Sequence, residues 1–217
     1  MKITLKDFAI ILIYGAQKSG KTSCLRALVY KEAKNNNFDH CLLFSATKDK
    51  PEYDFLDDKY KYDSTDIDAL KRYVNFCKEL NKREIITKGL LILDDIIGTS
   101  EMHFRNDFFT NLFAMHRHYG LNIILISQTI IDIPPKLRSL VSFGCVYKFI
   151  SESDIDKIHA CFGSLCKTKK EFIDLYNKYT DQKYKFFCFM KTDAFNIESA
   201  YCGYKAPLIK KSFKLEL

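Results

Sequence analysis

The segment YGAQKSGKTS at positions 14–23 places Gly15, Gly20, Lys21 and Thr22 at the spacing GxxxxGK[ST]. Each residue type has a chemical reason to be there. Glycines let the backbone curl into a concave loop whose N–H groups converge on phosphate oxygens, a lysine neutralises the outer phosphates, and a hydroxyl on the next residue ligates Mg²⁺. The expected cradle is therefore Gly15, Ala16, Gln17, Lys18, Ser19, Gly20, Lys21, Thr22 and Ser23, with Lys21 catalytic and Thr22 a metal ligand. Such a loop must also open a helix, so that the positive end of the helix dipole faces the anion.

Downstream, the apolar run 90–93 feeds directly into Asp94 and Asp95. A carboxylate at the end of a buried strand beside a phosphate loop is placed to hold Mg²⁺, the role expected of Asp94. Its neighbour Asp95 is the expected general base, positioned to orient or deprotonate the attacking water. A further run, LNIILIS at 121–127, ends in Gln128, whose amide can bond both phosphate and water and so report on the γ-phosphate. Arg117, in AMHRHYG, falls at the end of the preceding helix and hence at the amino edge of a parallel sheet. From there it is remote from its own nucleotide but able to reach a neighbour's; Arg138, in PPKLRS, is a second candidate from the opposite edge.

These residues need a scaffold, and the hydrophobic pattern supplies one. Strand-length apolar runs occur at 8–14, 40–46, 89–94, 121–127 and 143–150, alternating with helical stretches at 23–34, 66–80, 104–118 and 154–162. Alternation of this kind gives a parallel sheet covered on both faces. A helix at 169–179 and strands at 184–190 and 194–201 are expected to follow. The polar segment 47–65 reads as the longest irregular stretch, a solvated connection in preference to a mobile cover over the ligand. No linker or repeat separates a second unit. Residues 1–217 therefore read as one domain, with a nucleotide-binding core at 1–150 and a helix-and-strand extension at 151–217.

With 217 residues and 47% hydrophobic content, the chain can bury one substantial core. No apolar run approaches the roughly 20 residues that a bilayer span requires, and MKITLKDF lacks the layout of a secretion signal. Eight scattered cysteines without a CxxC pair read as buried thiols in a reducing compartment, in preference to a metal site built from Cys161, Cys166 and His159. The net charge of +7, from 34 Lys and Arg against 27 Asp and Glu, suits a polyanionic partner and is concentrated toward the C-terminus.

Taken in order, GAQKSGKT, LLILDD, HRHYGLNIILISQ and DIPPKLR resemble the FtsK/HerA superfamily of ring-forming, DNA-pumping ATPases. Within it the chain looks most like the compact genome-packaging ATPases of poxviruses, other large cytoplasmic DNA viruses and virophages. The resemblance covers residues 8–149. It implies a RecA-like P-loop NTPase fold, an α/β three-layer sandwich with a mainly parallel central sheet of the additional-strand type. It further implies ATP and Mg²⁺ as cofactors, Gln128 as sensor, Arg117 as an arginine finger acting in trans, and double-stranded DNA threaded through a homo-oligomeric ring, a hexamer or pentamer. Capsid or portal vertex proteins would be partners, and the virion or a cytoplasmic viral factory the location. Asp95 stands where many superfamily members carry Glu, one methylene longer, although the viral branch is similar in using an Asp pair.

Two rival functions are separable on the residues. A small nucleoside or nucleotide kinase needs an Arg-rich lid, and no such motif is evident; an assembly scaffold that binds ATP without turnover is at odds with an intact Lys21, Asp94 and Asp95. A GTPase would need NKxD, which Asn177-Lys178-Tyr179-Thr180 breaks at the Asp, and an ABC-type ATPase would need LSGGQ. After Phe149 no cluster of acids suggests a two-metal nuclease.

Overall fold

In the computed structural model, the residues described are 8–35, 38–96, 107–130, 133–148, 151–191 and 196–217. The first strand, β1 (Ile10–Tyr14), is buried along its whole length and runs into the loop that opens α1 (Lys21–Asn35). Then come β2 (His40–Ser45), two short 3-10 turns at Pro51–Tyr53 and Asp58–Tyr60, β3 (Lys61–Tyr62), α2 (Ile67–Lys82) and β4 (Gly89–Asp94). The chain continues through α3 (Asp107–Met115), β5 (Leu121–Ser127), α4 (Pro135–Leu140), β6 (Phe143–Val146), α5 (Glu152–Phe162) and α6 (Lys169–Tyr179). It closes with β7 (Lys185–Met190), α7 (Ile197–Ala200) and β8 (Tyr201–Lys205).

Among the described residues, eight strands form one sheet in the order β3-β2-β4-β5-β1-β6-β7-β8. Pairing is parallel from β3 through β6, and β7 and β8 add antiparallel at one edge. Because β5 lies between β1 and β4, the expected additional strand separates the phosphate-loop strand from the acidic strand. The register Tyr14↔Ser127 and Asp94↔Ile126 brings the carboxyl ends of all three strands to one edge.

Buried on both faces, the parallel strands are continuous apolar runs and feed two cores with alternate residues. Ile10, Leu12 and Tyr14 pack with α2, α3, α5 and α6, whereas Ile11 and Ile13 pack with Leu25, Leu28 and Val29 of α1. The α1 face is completed from an unexpected quarter. Tyr53, Phe55 and Leu56 of the 47–65 segment are buried there with Leu215 from the C-terminal tail. Phe213 stacks on Phe55 at 6.1 Å, and the Leu215 amide donates to the Phe55 carbonyl at 2.7 Å. A segment read as a solvated connection is thus a packed wall, because the tail supplies apolar cover that its own polar neighbours do not.

Other boundaries also differ. The stretch expected as a strand at 194–201 holds α7 instead, closed by a capping box between Asn196 and Ser199, and the strand begins only at Tyr201. The helix expected at 104–118 ends at Met115, where a turn through Gly120 at φ 62° leads into β5; its first residues lie outside the described ones. Likewise β6 stops at Val146, and residues 149 and 150 lie outside the described ones.

Candidate functional site

Local backbone chemistry builds the phosphate loop as the motif requires. Lys18 (φ 58°) and Gly20 (φ 98°) both adopt the left-handed region, which turns the chain back on itself before α1 starts at Lys21. Gly15 is crowded, since a Cβ there would lie 2.7 Å from Ser19 Oγ and 2.9 Å from Tyr147 Cβ. Lys21 lies folded under the loop. Its ammonium donates to the carbonyls of Gly15 (2.9 Å) and Ala16 (3.0 Å), and burial pulls its pKa down against the attraction of Asp95 and Asp94. Ser19 Oγ, buried at the base of the loop, has no hydrogen-bond partner among the described residues.

A cavity of about 500 Å³ opens over this loop, lined by residues 17–23, Asp94, Asp95 and Gln128. Every expected cradle residue lies on it or, for Gly15 and Ala16, immediately beneath it through the Lys21 ammonium. Asp94 closes β4 and is 6% exposed. Burial pushes its carboxyl up to about 6; the Asp95 charge adds to the rise, while a hydrogen bond from Tyr53 and the Lys21 charge oppose it. Asp95 follows with φ 48°, a conformation that a short polar side chain tolerates and that swings its carboxyl out of the strand toward β5. There Gln128 Nε2 donates to Asp95 Oδ2 at 2.5 Å. The two residues assigned separate tasks from sequence are therefore one bonded pair.

Three further residues outside the sequence motifs contribute to the site. Tyr53 donates its hydroxyl to Asp94 Oδ2, and Ser45 Oγ approaches the same oxygen at 3.5 Å. Tyr184, at φ 63° before β7, lays its ring against Gly20 on the other flank of the loop. Ser45 alone had a sequence signal, being the last residue of a strand at the ligand edge. The other two arrive through long-range packing.

Arg117 stands apart from this cavity. It is exposed in the turn between α3 and β5, and its carbonyl accepts from the Gly120 amide at 3.1 Å just before β5 begins. The seven residues of β5 separate that edge from the phosphate loop, about 20 Å at strand rise. Arg138 is half-buried and turned inward, its guanidinium donating to Cys161 Sγ at 2.9 Å. Nearby, the His159 ring packs on Phe172, and among the described residues no three His, Cys, Asp or Glu side chains converge as metal ligands. His116 is buried, its ring nitrogens on the carbonyls of Phe113 and Phe8; His118 is exposed. No described helix is long and apolar enough to cross a membrane.

Phosphate loop, interposed strand and paired carboxylates on one sheet edge define a P-loop NTPase fold of the additional-strand type. The chain matches the family described as Poxvirus A32 protein over residues 1–206 and belongs to it. Among solved structures, it superposes on the genome packaging NTPase B204 of Sulfolobus turreted icosahedral virus 2, in complex with sulfate, with a TM-score of 0.69 and 15% identity. That match covers 94% of this chain and 99% of the other. The pCW3 conjugation coupling protein TcpA, in a monomer form with ATPγS, gives a TM-score of 0.64 at 13% identity, covering 96% of this chain and 62% of TcpA. Among curated proteins, uncharacterized protein 075L of Invertebrate iridescent virus 6 is 25% identical over 154 residues, covering 69% of this chain. The chain spans 58% of the length of that relative.

Proposed function

We propose that this protein is an Mg²⁺-dependent ATPase that assembles as a homo-oligomeric ring, a hexamer or pentamer, and translocates double-stranded DNA into a viral capsid. One observation carries the reading: Lys21, Asp94, Asp95 and Gln128 share one cavity, while the exposed Arg117 lies on the opposite edge of the same sheet. A site assembled by one chain would keep its arginine beside its phosphates. An arginine on the far edge suits delivery to an adjoining subunit, where it stabilises charge on the transferring phosphoryl group. The inward-turned Arg138 suits that task less well.

In this reading the backbone amides of residues 15–23 cradle the phosphates, and Lys21 exchanges its two loop carbonyls for phosphate oxygens. Thr22 and Asp94 offer a hydroxyl and a carboxylate in one cavity, the hard oxygen set that suits Mg²⁺, and an ion there would neutralise phosphate charge. Asp95 is the general base. Gln128, already bonded to it, couples γ-phosphate detection to the orientation of that base. Support for packaging comes from membership of the A32 family and from the fold shared with a packaging NTPase. A positive net charge suits DNA backbone, giving affinity that falls steeply with salt and varies little with sequence. The chain acts as one domain, working with capsid or portal proteins in the virion or a cytoplasmic viral factory.

The test is phosphate release with Mg²⁺ and ATP, with and without duplex DNA, alongside electron microscopy of the same sample. DNA-stimulated turnover by rings is expected. Stoichiometric phosphoryl transfer to a deoxynucleoside would identify a kinase instead, and turnover no higher than that of Lys21→Ala would identify a scaffold.

A further inference from the structure

We propose that Tyr184 is the platform on which the nucleotide base stacks, so that the site accepts nucleoside triphosphates by the face of the base more than by its edge. The inference rests on the triphosphate reading above and deepens it. Strand order sets the direction in which a nucleotide must lie. Asp94 and Asp95 end β4 and Gln128 follows β5, all on one side of β1, so the γ-phosphate end points that way. The α-phosphate and base then extend over the opposite flank of the loop, toward β6 and β7. Because β7 runs antiparallel, with Val146↔Phe187 in register, its first residues sit at the same sheet edge as the phosphate loop.

Tyr184 occupies that flank. Its Cδ1 lies 2.8 Å from the position a Cβ on Gly20 would take, so the ring rests on the bare backbone of the loop's last glycine. The side chain is 42% exposed and lines the same cavity as Lys21, Thr22 and Ser23. A left-handed backbone at φ 63° and a Lys185 amide bonded to the Gln182 carbonyl at 3.2 Å hold the ring at the cavity mouth. The Lys183 ammonium stands 5.1 Å from its centroid, a solvated side chain that a flat base can displace. A large aromatic ring open beside a phosphate cradle is an uncommon use of apolar surface. Stacking explains it, and because every base has a π-face it is tolerant of base identity.

The experiment compares ATP, GTP and inorganic tripolyphosphate, each with Mg²⁺, by titration calorimetry and by fluorescence. The chain contains no tryptophan, so Tyr184→Trp introduces a single reporter. Its emission is expected to be quenched by ATP and GTP and left unchanged by tripolyphosphate. Tyr184→Ala should weaken both nucleotides at least about fivefold while leaving tripolyphosphate affinity unchanged, and Tyr184→Phe should bind as wild type. Equal weakening of tripolyphosphate in Tyr184→Ala would make the ring a structural prop for Gly20 and overturn the proposal. So would a tryptophan whose emission ignores ATP that calorimetry shows to be bound. Failure of the wild-type protein to bind either ATP or tripolyphosphate would instead remove the phosphate site itself, and the platform with it.

Discussion

The hydroxyl of Tyr53 is bonded to the carboxyl of Asp94, joining the segment after β2 to the tip of β4 in the wall of the phosphate cavity. Tyr53 is 2% exposed and is held by its surroundings: Phe55 and Leu56 pack behind it, and the C-terminal tail closes over them. The hydrogen bond favours the ionised carboxylate, against burial and the neighbouring Asp95. Tyr53 is therefore a positioning residue for Asp94.

Tyr53→Phe removes the hydroxyl and keeps the ring. A hydrogen bond to a charged group contributes about 1.5–3 kcal/mol, so the Mg²⁺ concentration for half-maximal turnover should rise by roughly ten- to a hundredfold. Without that donor the Asp94 carboxyl titrates higher, and the acid limb of the rate profile should move to higher pH. An acid limb that stays in place while the melting temperature falls would make Tyr53 merely a packing residue.

Asp94 itself should cost the metal-free protein stability at neutral pH. Its carboxyl is pushed up to about 6 in the folded chain, from an ordinary 3.8. Between those values the folded form holds a proton that the unfolded form has released. The group thus favours folding below about pH 4, and that contribution disappears as pH rises through about 6; the full difference is roughly 3 kcal/mol. Asp94→Asn keeps an acceptor for Tyr53 and carries no charge. In urea unfolding without metal, the variant should exceed wild type by up to roughly 3 kcal/mol at pH 8 and match it at pH 4. An equal difference at both pH values would remove titration of Asp94 as the cause.

The phosphate loop and both carboxylates were legible in the sequence because each is a local pattern, a few contiguous residues whose backbone demands follow from their types. Five strands were legible for a related reason: doubly covered parallel strands such as β1 and β5 must be apolar throughout. Tyr53 was not. Its segment, KDKPEYDFLDDKY, is polar by composition, and it becomes part of a core by packing on α1 under Phe213 and Leu215, supplied from the far end of the chain. Tyr184 was hidden similarly, since its contact with Gly20 depends on a left-handed residue and on β7 pairing beside β6. At 194–201 the capping box of Asn196 and Ser199 outweighed a run of mixed apolar residues.

Removing the loop lysine should stop turnover without unfolding the chain. Lys21 is 8% exposed, and its ammonium donates to the carbonyls of Gly15 and Ala16 with the Asp95 and Asp94 charges nearby. Burial pulls its pKa down in spite of those carboxylates, so desolvation outweighs their attraction and the cation stabilises the fold little. Lys21→Ala should therefore melt close to wild type, while phosphate release falls by roughly a hundredfold or more as the positive charge on the transferring group is lost. Residual turnover near the wild-type rate would move catalysis elsewhere.

The far-edge position of Arg117 makes its own prediction through subunit mixing. With about 20 Å of strand between it and the phosphate loop, its loss should leave nucleotide binding by the same chain unchanged. Arginine fingers contribute about 10³–10⁵ in rate, so Arg117→Ala should bind ATP normally and hydrolyse almost none. Asp95→Ala should fail as well, for want of a base. Neither variant recovers alone, yet a mixture creates junctions at which an intact Asp95 on one protomer meets an intact Arg117 on the next. Random assembly in equal amounts makes about a quarter of junctions competent, and phosphate release should recover toward that fraction as the two proteins are mixed. A mixture as inactive as its parts would return Arg117 to its own subunit and leave the shared pocket without support.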